Sequence, residues 1–255
     1  MHLEMPQALG ADYKNASQKA RVISEAWGEE NLYCANCSSH RLARLSPNTP
    51  TIDFRCPDCD SSYQLKGQAH CFSTRISDAA YSKMHDAVTK GRAPNLLALH
   101  YDPALWSVRN LILIPRFVFS SSCIERRRPL RDSARRHGAV LCNILLTSIP
   151  PDARISLVSD GAVAACEQVR ELYARLRPLA KLSHSARGWT LDVLNVVRAL
   201  NKTEFTLQEV YAFASHLQKL HPANRFVHPK IRQQLQELRR LGLVEFLGGG
   251  RYRCG

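Results

Sequence analysis

The stretch IDFRCPDCDSSYQLKGQ, residues 52–68, decides the fold of the first part of this chain. A Cys-x-x-Cys pair stands here between Asp53 and a Gln-x-Lys motif formed by Gln64 and Lys66. The segments on either side of the cysteines predict two strands of one hairpin. Side chains two apart on a strand project from the same face, so we expect Gln64 and Lys66 to lie together. If the strands lie side by side, Asp53 reaches that face as well.

A second Cys-x-x-Cys pair lies upstream, with 18 residues between Cys37 of the first pair and Cys56 of the second. Each pair lets a tight turn direct two thiolates at one ion, and four thiolates complete the closed tetrahedral site of structural zinc. We therefore predict a zinc ion held by Cys34, Cys37, Cys56 and Cys59. Four sulfur ligands leave no open position for water, so this zinc should stabilise the fold and not take part in catalysis.

The composition favours a polyanionic partner. The 255 residues leave room for two domains, and 45% apolar content is enough to bury a core. Lys and Arg exceed Asp and Glu by 13 charges. A strongly basic chain is typical of nucleic-acid binding, ahead of membrane binding, with an inert basic surface as the alternative.

The sequence contains no segment typical of export or membrane insertion. Its first residues lack the apolar stretch of a signal peptide, and no run approaches the ~18 apolar residues of a membrane span. We therefore expect a soluble cytoplasmic protein without a membrane partner. Nine cysteines, an odd number, argue in such a protein for metal ligation by a subset and against a disulfide framework.

Hydrophobic periodicity predicts a mixed α/β architecture with a central sheet up to residue 182. Apolar runs of strand length occur at four places, and helical patterns occur at three. The predicted strands are 95–102, 108–119, 139–146 and 154–160, and the predicted helices are 15–27, about 78–90 and about 162–177.

An arginine-rich run lies between two of these predicted strands. Such runs are often solvated loops, but arginine forks suit phosphate oxygens and the flanking strands should hold the run in place. We interpret it as a DNA-backbone contact. Its six arginines are Arg126, Arg127, Arg128, Arg131, Arg135 and Arg136.

From residue 183 the pattern changes to three helices and a small hairpin. Helical patterns cover 189–200 and 206–220, and a third helix has Pro229 in its first turn and stops before Gly242. Two short strands around a glycine turn follow. This order predicts an α+β winged-helix domain over 183–255.

The third helix of this domain has the composition of a recognition helix. One face is apolar, with Ile231, Leu235, Leu238 and Leu241. The opposite face carries glutamine and arginine, which can pair with adenine and guanine edges in the major groove. The predicted DNA contacts are Lys230, Arg232, Gln233, Gln236 and Arg240. Such faces also occur on surface helices that bind nothing.

The hairpin of residues 52–68 matches the PD-(D/E)-x-K nuclease core. Its context is more specific, because DYKNASQKARVISEAW, DFRCPDC, LKG, SARGWTLDVLN and IRQQLQELR all resemble the DpnI family of methyl-directed type II restriction endonucleases. The resemblance runs from about residue 11 to the C-terminus. It implies a restriction-endonuclease-like mixed sheet core with a zinc knuckle over 1–182, joined to the winged helix.

The resemblance also implies a function. In this family both domains bind double-stranded DNA at G-A-T-C sites with methylated adenine, and the nuclease domain hydrolyses the phosphodiester with magnesium. By position, Asp53 matches the metal-binding aspartate and Lys66 the catalytic lysine. Gln64 takes the place of a metal-binding glutamate, and the Leu65 backbone carbonyl completes the predicted magnesium ligands.

Two positions depart from the family pattern. Gln64 offers magnesium a neutral oxygen, and the resulting loss of attraction is up to ~4 kcal/mol at an effective dielectric near 20. Ala139 stands where the family has an aromatic side chain that could wedge into DNA. Trp189, at the start of the winged domain, could supply an aromatic to a methyl pocket or be a core residue.

The neutral Gln64 keeps an alternative open. The chain would then be a zinc-containing winged-helix protein, a methyl-adenine reader or a regulator, with inert Asp53, Gln64 and Lys66. Cleavage irrespective of methylation is a third reading. We expect a monomer, because no heptad or apolar helix is left over for pairing.

Overall fold

The computed structural model describes residues 1–46, 49, 51–130 and 137–255. Within these ranges the part of the chain up to residue 182 has ten strands and three α-helices. The strands are β1 Ala43–Arg44, β2 Phe54–Arg55, β3 Ser62–Gln68, β4 Arg75–Ala80, β5 Asn95–Asp102, β6 Ser107–Ile114, β7 Ile124–Arg126, β8 Leu141–Leu145, β9 Ile155–Ser159 and β10 Ala162–Val163. The helices are α1 Ala16–Asn31, α2 Tyr81–Thr89 and α3 Cys166–Leu176.

The main sheet has the strand order β1-β2-β3-β5-β6-β9-β10. Strands β3 and β5 are parallel and the other neighbours are antiparallel, which confirms the predicted mixed sheet. Strand β5, NLLALHYD, is buried over its first seven residues. A nearly continuous apolar run is what a strand covered on both faces requires.

Helix α1 begins where the Asn15 side chain accepts hydrogen bonds from the backbone N–H groups of Ser17 and Gln18. Such a cap satisfies two of the first-turn donors. The apolar stripe of α1, with Ile23 and Trp27 fully buried, packs toward β3. The helix therefore covers the strand that carries the Gln-x-Lys motif.

A second sheet, in the order β4-β8-β7, supplies a finding that the sequence analysis missed. We predicted a helix from about Asp78, but residues 75–80 form β4 and the helix begins at Tyr81. Pairing of β4 with β8, with Ile76 opposite Ile144, overrides the local helical pattern. A β-bulge between Asp78 and Ala80 interrupts this ladder.

The strand predicted at 108–119 is also shorter than expected. It ends at Ile114, and Pro115 leads into a 3-10 turn over Arg116–Val118. Proline has no backbone N–H to donate to a neighbouring strand, so the ladder stops there.

The C-terminal part forms the predicted winged helix. Its elements are α4 His184–Ala199, β11 Glu204–Thr206, α5 Leu207–Tyr211, α6 Ala214–Leu220, α7 Val227–Arg240, β12 Val244–Gly248 and β13 Arg251–Cys254. The single helix predicted at 206–220 is two short helices, although the Thr206–Glu209 capping box is present as expected. Strand β11, which was not predicted, joins the wing as a third strand beside β13.

Polar contacts join the two parts of the molecule. The Ser122 hydroxyl donates to Asp192 Oδ1 at 3.0 Å, linking the turn before β7 to α4. Arg198 makes two hydrogen bonds to the Asp152 carboxylate, at 2.7 and 2.8 Å, in a largely buried position. Paired N–H donors to one carboxylate are both strong and directional, so they define the orientation of α4 against the part of the chain before residue 182.

None of the helices in the described ranges combines the length and apolar character that crossing a membrane requires.

Candidate active site

The hairpin predicted from residues 52–68 is confirmed. Phe54 pairs with Tyr63 and Arg55 pairs with Ser62 in the antiparallel ladder. The backbone N–H of Cys56 donates to the Ser61 carbonyl across the turn. The second cysteine pair therefore lies at the closed end of the hairpin whose strands lead to the predicted catalytic residues.

A cleft of about 790 Å³ opens beside β3 and below α1. It brings together all three predicted catalytic residues, which line the cleft with Leu65 and with Arg21 and Glu25 of α1. Gln64 and Lys66 share one face of β3, as their spacing predicts. Gln64 and Lys66, which follow Asp53 by 11 and 13 positions in the sequence, thus lie with it in one cavity.

Asp53 is tied to the edge of β3. Its Oδ2 accepts a hydrogen bond from the Leu65 backbone N–H at 2.8 Å. In a strand the N–H and C=O of one residue point toward the same edge, so the Leu65 carbonyl faces the side on which Asp53 lies. The carboxylate and the carbonyl are therefore placed to share one ligand.

The cleft disfavours an ionised Asp53 without a cation. Burial raises the pKa of Asp53, and the nearby Glu25 carboxylate raises it further, against the opposing effects of the Leu65 hydrogen bond and Lys66. Glu25 is itself buried, and each of its oxygens lies 2.6 Å from an arginine, Arg21 or Arg44. A bound cation would relieve the cost that the raised pKa of Asp53 reports.

A residue that the sequence analysis missed contacts both partners of the Gln-x-Lys motif. Asp78 Oδ1 lies 2.8 Å from Lys66 Nζ and accepts a hydrogen bond from Gln64 Nε2 at 3.3 Å. The Asp78 side chain is fully buried, and its Oδ2 has no hydrogen-bond partner among the described residues. Asp78 belongs to β4, so the second sheet supplies a carboxylate beneath the cleft.

The oxygen donors of this cleft fit magnesium. With Nε2 of Gln64 directed at Asp78, the amide oxygen is the end left for a cation. Together with the Asp53 carboxylate and the Leu65 carbonyl it makes an all-oxygen set, which hard divalent cations prefer. The assignment of these residues to a metal stays a prediction.

The four predicted zinc ligands form one cluster. The sulfur atoms of Cys34, Cys37, Cys56 and Cys59 all lie within 4.8 Å of one another. The Cys34–Cys59 and Cys37–Cys56 sulfur pairs are each 3.5 Å apart. Sulfurs at tetrahedral corners about 2.3 Å from one ion have separations of this order. The cluster therefore fits structural zinc, as predicted.

The environment of the cluster supports thiolate ligands. Although burial opposes it, hydrogen bonds with Ser61 and Asn36 lower the pKa of Cys59 to about 6. Burial raises the pKa of Cys34, so this thiol needs a cation to lose its proton. A zinc ion supplies that compensation, because it binds the deprotonated sulfur.

Tyr63 connects the cysteine cluster to the catalytic strand. Its hydroxyl lies 3.2 Å from Cys34 Sγ and accepts from the Ala35 N–H at 3.1 Å. Tyr63 directly precedes Gln64 in β3. From the other side, Arg170 of α3 donates to the carbonyls of Cys34 and Ser39. The cysteine cluster is thus hydrogen-bonded both to β3, which carries Gln64 and Lys66, and to α3.

Family models cover nearly the whole chain. One described as "DpnI: Dam-replacing family" matches residues 1–182, and one described as "DpnI_C: Dam-replacing HTH domain" matches residues 185–254. The chain belongs to the DpnI family. The resemblance to DpnI-like methyl-directed endonucleases seen in the sequence is therefore confirmed, with its nuclease fold and DNA-binding winged helix.

The recognition helix of this DpnI-family chain presents the expected face. Ile231, Leu235 and Leu238 are fully buried, and the exposed side chains include four of the five predicted DNA contacts. These are Arg232, Gln233, Gln236 and Arg240, while Lys230 is half-buried and donates to Gln233 Oε1. Phe226, an aromatic that is 74% exposed and immediately precedes α7, was not predicted from the sequence. DNA contact by this face stays a prediction.

Part of the arginine-rich run can be located. Arg126, Arg127 and Arg128 are exposed at the end of β7. Arg131, Arg135 and Arg136 lie outside the described residues. Backbone bonds from Arg127 to the Leu141 carbonyl and from Leu130 to the Ala139 carbonyl continue the pairing of β7 with β8. The three described arginines are thus carried by a hairpin, in keeping with the proposed backbone contact.

Trp189 lies in the core of the winged domain. Its side chain is 3% exposed and stacks on His221, with ring centroids 4.0 Å apart. His221 in turn lies 2.8 Å from Asp192 Oδ2. Of our two interpretations of Trp189, a methyl-pocket aromatic or a core residue, the structure supports the core residue.

Proposed function

We propose that this chain is a magnesium-dependent type II endonuclease that cleaves double-stranded DNA at G-A-T-C sites carrying N6-methylated adenine. The observation that carries the proposal is the meeting of Asp53, Gln64 and Lys66 in one cleft, with oxygen donors and a lysine on the same side of β3. Membership of the DpnI family supports the methyl-directed nuclease activity. The site sequence and the metal requirement go beyond that membership.

The residues of the cleft have separable roles in this mechanism. Asp53, the Gln64 amide oxygen and the Leu65 carbonyl would hold magnesium, which supplies charge neutralisation at the scissile phosphate. Lys66, anchored by Asp78, donates a hydrogen bond that orients the attacking water and offsets negative charge at the phosphate. Asp78 keeps the ammonium group in place, since the side chain of lysine is otherwise flexible.

Two DNA-binding domains suit recognition of a methyl group. Removing one methyl from water contributes only ~0.8 kcal/mol, about fourfold in affinity. A palindromic site carries two methylated adenines, and a second DNA-binding domain would recognise the methyl groups again. We infer that the nuclease part contacts the backbone through the β7–β8 hairpin and that α7 lies in the major groove, as recognition helices do.

The experiment compares plasmid DNA prepared with and without adenine methylation, each incubated with the purified chain and magnesium. We expect cleavage of the methylated plasmid alone and none with Lys66→Ala. The exposed Lys83 of α2 provides the matched control, since Lys83→Ala removes the same group outside the cleft. Cleavage of both plasmids would overturn the methylation requirement, and cleavage by Lys66→Ala would overturn the assigned site.

A methyl-adenine reader without cleavage is the second candidate. The observation that favours it is the neutral Gln64, whose amide donates to Asp78, so the cleft lacks one charge of a metal site. A reader would bind methylated G-A-T-C duplexes in a gel-shift assay and leave them intact at every magnesium concentration. We also infer a monomer, which sedimentation of the protein with and without DNA can test.

A further inference from the structure

A second cleft, of about 270 Å³, lies where α2, the 3-10 turn after β6 and the start of α4 meet. It is therefore at the junction of the nuclease and winged-helix parts. Its lining is basic and includes no Asp or Glu among the described residues. The residues that matter here are Lys90, Arg116, His184 and Arg187.

Arg187 is the unusual member of this cleft. It is only 7% exposed, and its Nε has no hydrogen-bond partner within the described part of the chain. Burial lowers the pKa of Arg187, and the neighbouring Arg116 cation lowers it further. A buried guanidinium beside another cation destabilises the fold unless an anion compensates it.

The surrounding groups strengthen this positive field. Arg116 is exposed and anchored through its backbone N–H, which donates to Asn95 Oδ1. Lys90 has its own partner, Asp86, one turn earlier on α2 at the protein surface. Helix α4, 16 residues long, begins at this cleft, and its Ser183 cap satisfies the N–H of Ala186. The positive end of the helix therefore adds to the arginine charges.

We propose that this junction cleft binds a phosphate-type oxyanion held by Arg187 and Arg116. The planar guanidinium presents several N–H donors in a fork that matches phosphate oxygens. The anion could be a backbone phosphate of DNA or free phosphate, which present the same group to the arginines. Because Arg116 belongs to the nuclease part and Arg187 to α4, the bound anion would join the two parts.

The test uses the full zinc-loaded chain without added magnesium and titrates inorganic phosphate against an equal ionic strength of chloride. We expect saturable binding by calorimetry, and a thermal midpoint about 2–4 °C higher in phosphate than in chloride. Arg187→Met removes the charge and keeps an unbranched chain. This variant should bind phosphate at least about tenfold more weakly, the factor of one charge-assisted hydrogen bond.

Arg41→Met is the control, because Arg41 is exposed and outside the cleft. Arg116→Met, at an exposed position, tests the site if Arg187→Met does not fold. An Arg187→Met protein with higher stability in chloride and no response to phosphate supports the proposal. Equal responses to phosphate and chloride in the unaltered chain, or full phosphate binding by both cleft variants, would overturn it.

A DNA arm separates the two sources of the anion. If the DNA backbone occupies the cleft, phosphate competes with a methylated duplex and Arg187→Met weakens duplex binding. If free phosphate is the ligand, Arg187→Met binds the duplex as the unaltered chain does and loses phosphate binding alone. Both results support an oxyanion site, and neither depends on whether the chain cleaves DNA.

Discussion

Lys66 Nζ lies 2.8 Å from Asp78 Oδ1, a carboxylate that belongs to the neighbouring sheet and is fully buried. A lysine with a partly exposed side chain is thus held from below by a charge that water does not reach. Such a pair is screened much less than a surface ion pair, so it can define the position of the ammonium group.

Asp78→Asn should therefore slow cleavage on the order of 10–100-fold, because a misplaced catalytic group costs rate even when it is present. DNA affinity measured without magnesium should not change, since the Asp78 side chain is fully buried and not available to DNA. The readout is the single-turnover rate beside the duplex dissociation constant. Asp160→Asn, in an exposed turn whose left-handed backbone asparagine tolerates, is the control. A normal rate for Asp78→Asn would contradict the positioning role.

Removing one zinc ligand should unfold the region around the hairpin. Cys56→Ser should lose the bound zinc and cleavage together, because a structural zinc site contributes roughly 10–16 kcal/mol to folding. Zinc content by metal analysis and thermal unfolding measure the two effects. The exposed Cys71 is the matched control, and Cys71→Ser should retain one zinc per chain. A stable, zinc-free and active Cys56→Ser protein would exclude the structural role.

The raised pKa of Asp53 predicts a pH dependence of metal binding. A cation has to displace the proton, so magnesium affinity should rise with pH through the raised pKa and fall below it. Glu25→Gln should move this midpoint to lower pH, because the Glu25 charge contributes to the raised pKa of Asp53. Calorimetric titration across pH measures the midpoint. Glu171→Gln, exposed on α3, should leave it in place, and an unmoved midpoint in Glu25→Gln would be evidence against the coupling.

Gln64→Glu tests whether the missing charge limits metal affinity. We expect half-maximal cleavage at about tenfold less magnesium or lower, since a unit charge contributes up to ~4 kcal/mol at an effective dielectric near 20. Without magnesium the same variant should be less stable, because the new carboxylate replaces an amide that donates to Asp78. Cleavage rates across a magnesium titration, and thermal unfolding without and with added magnesium, show the two effects. An unchanged magnesium requirement would refute the limiting role of Gln64.

Substitutions on the exposed face of α7 should reduce the specificity of the chain for the methylated DNA site. Gln233→Ala or Gln236→Ala should each remove about 1–3 kcal/mol of discrimination between the methylated site and a scrambled duplex. Arg126→Ala should weaken binding to both duplexes alike, as expected for a phosphate contact. Competition binding at constant salt measures the ratio. Gln168→Ala on α3 is the control, and equal losses for both duplexes in the glutamine variants would point to backbone contact.

Local signals identified several parts of this protein. The zinc site was predictable because tight turns place Cys-x-x-Cys thiols on one ion. The shared face of Gln64 and Lys66 was predictable because side chains alternate between the two faces of a strand. The apolar stripe of α7 and the order of three helices and a hairpin predicted the winged helix for the same reason. Each of these patterns spans only a few residues, so the feature that it indicates can be predicted without a structure.

Contacts between distant segments of the chain could not be predicted from the sequence. From the sequence alone, a helix is predicted to begin at Asp78. Only the pairing of its strand with β8 and the bulge beside it direct the carboxylate to Lys66. From the sequence Trp189 could belong to a methyl pocket or to the core, and its stacking on His221 supports the core. The uncompensated Arg187 and its neighbour Arg116 are 71 positions apart. Which side chains share a buried space depends on how distant segments pack, because burial and charge compensation belong to the folded molecule and not to any single segment.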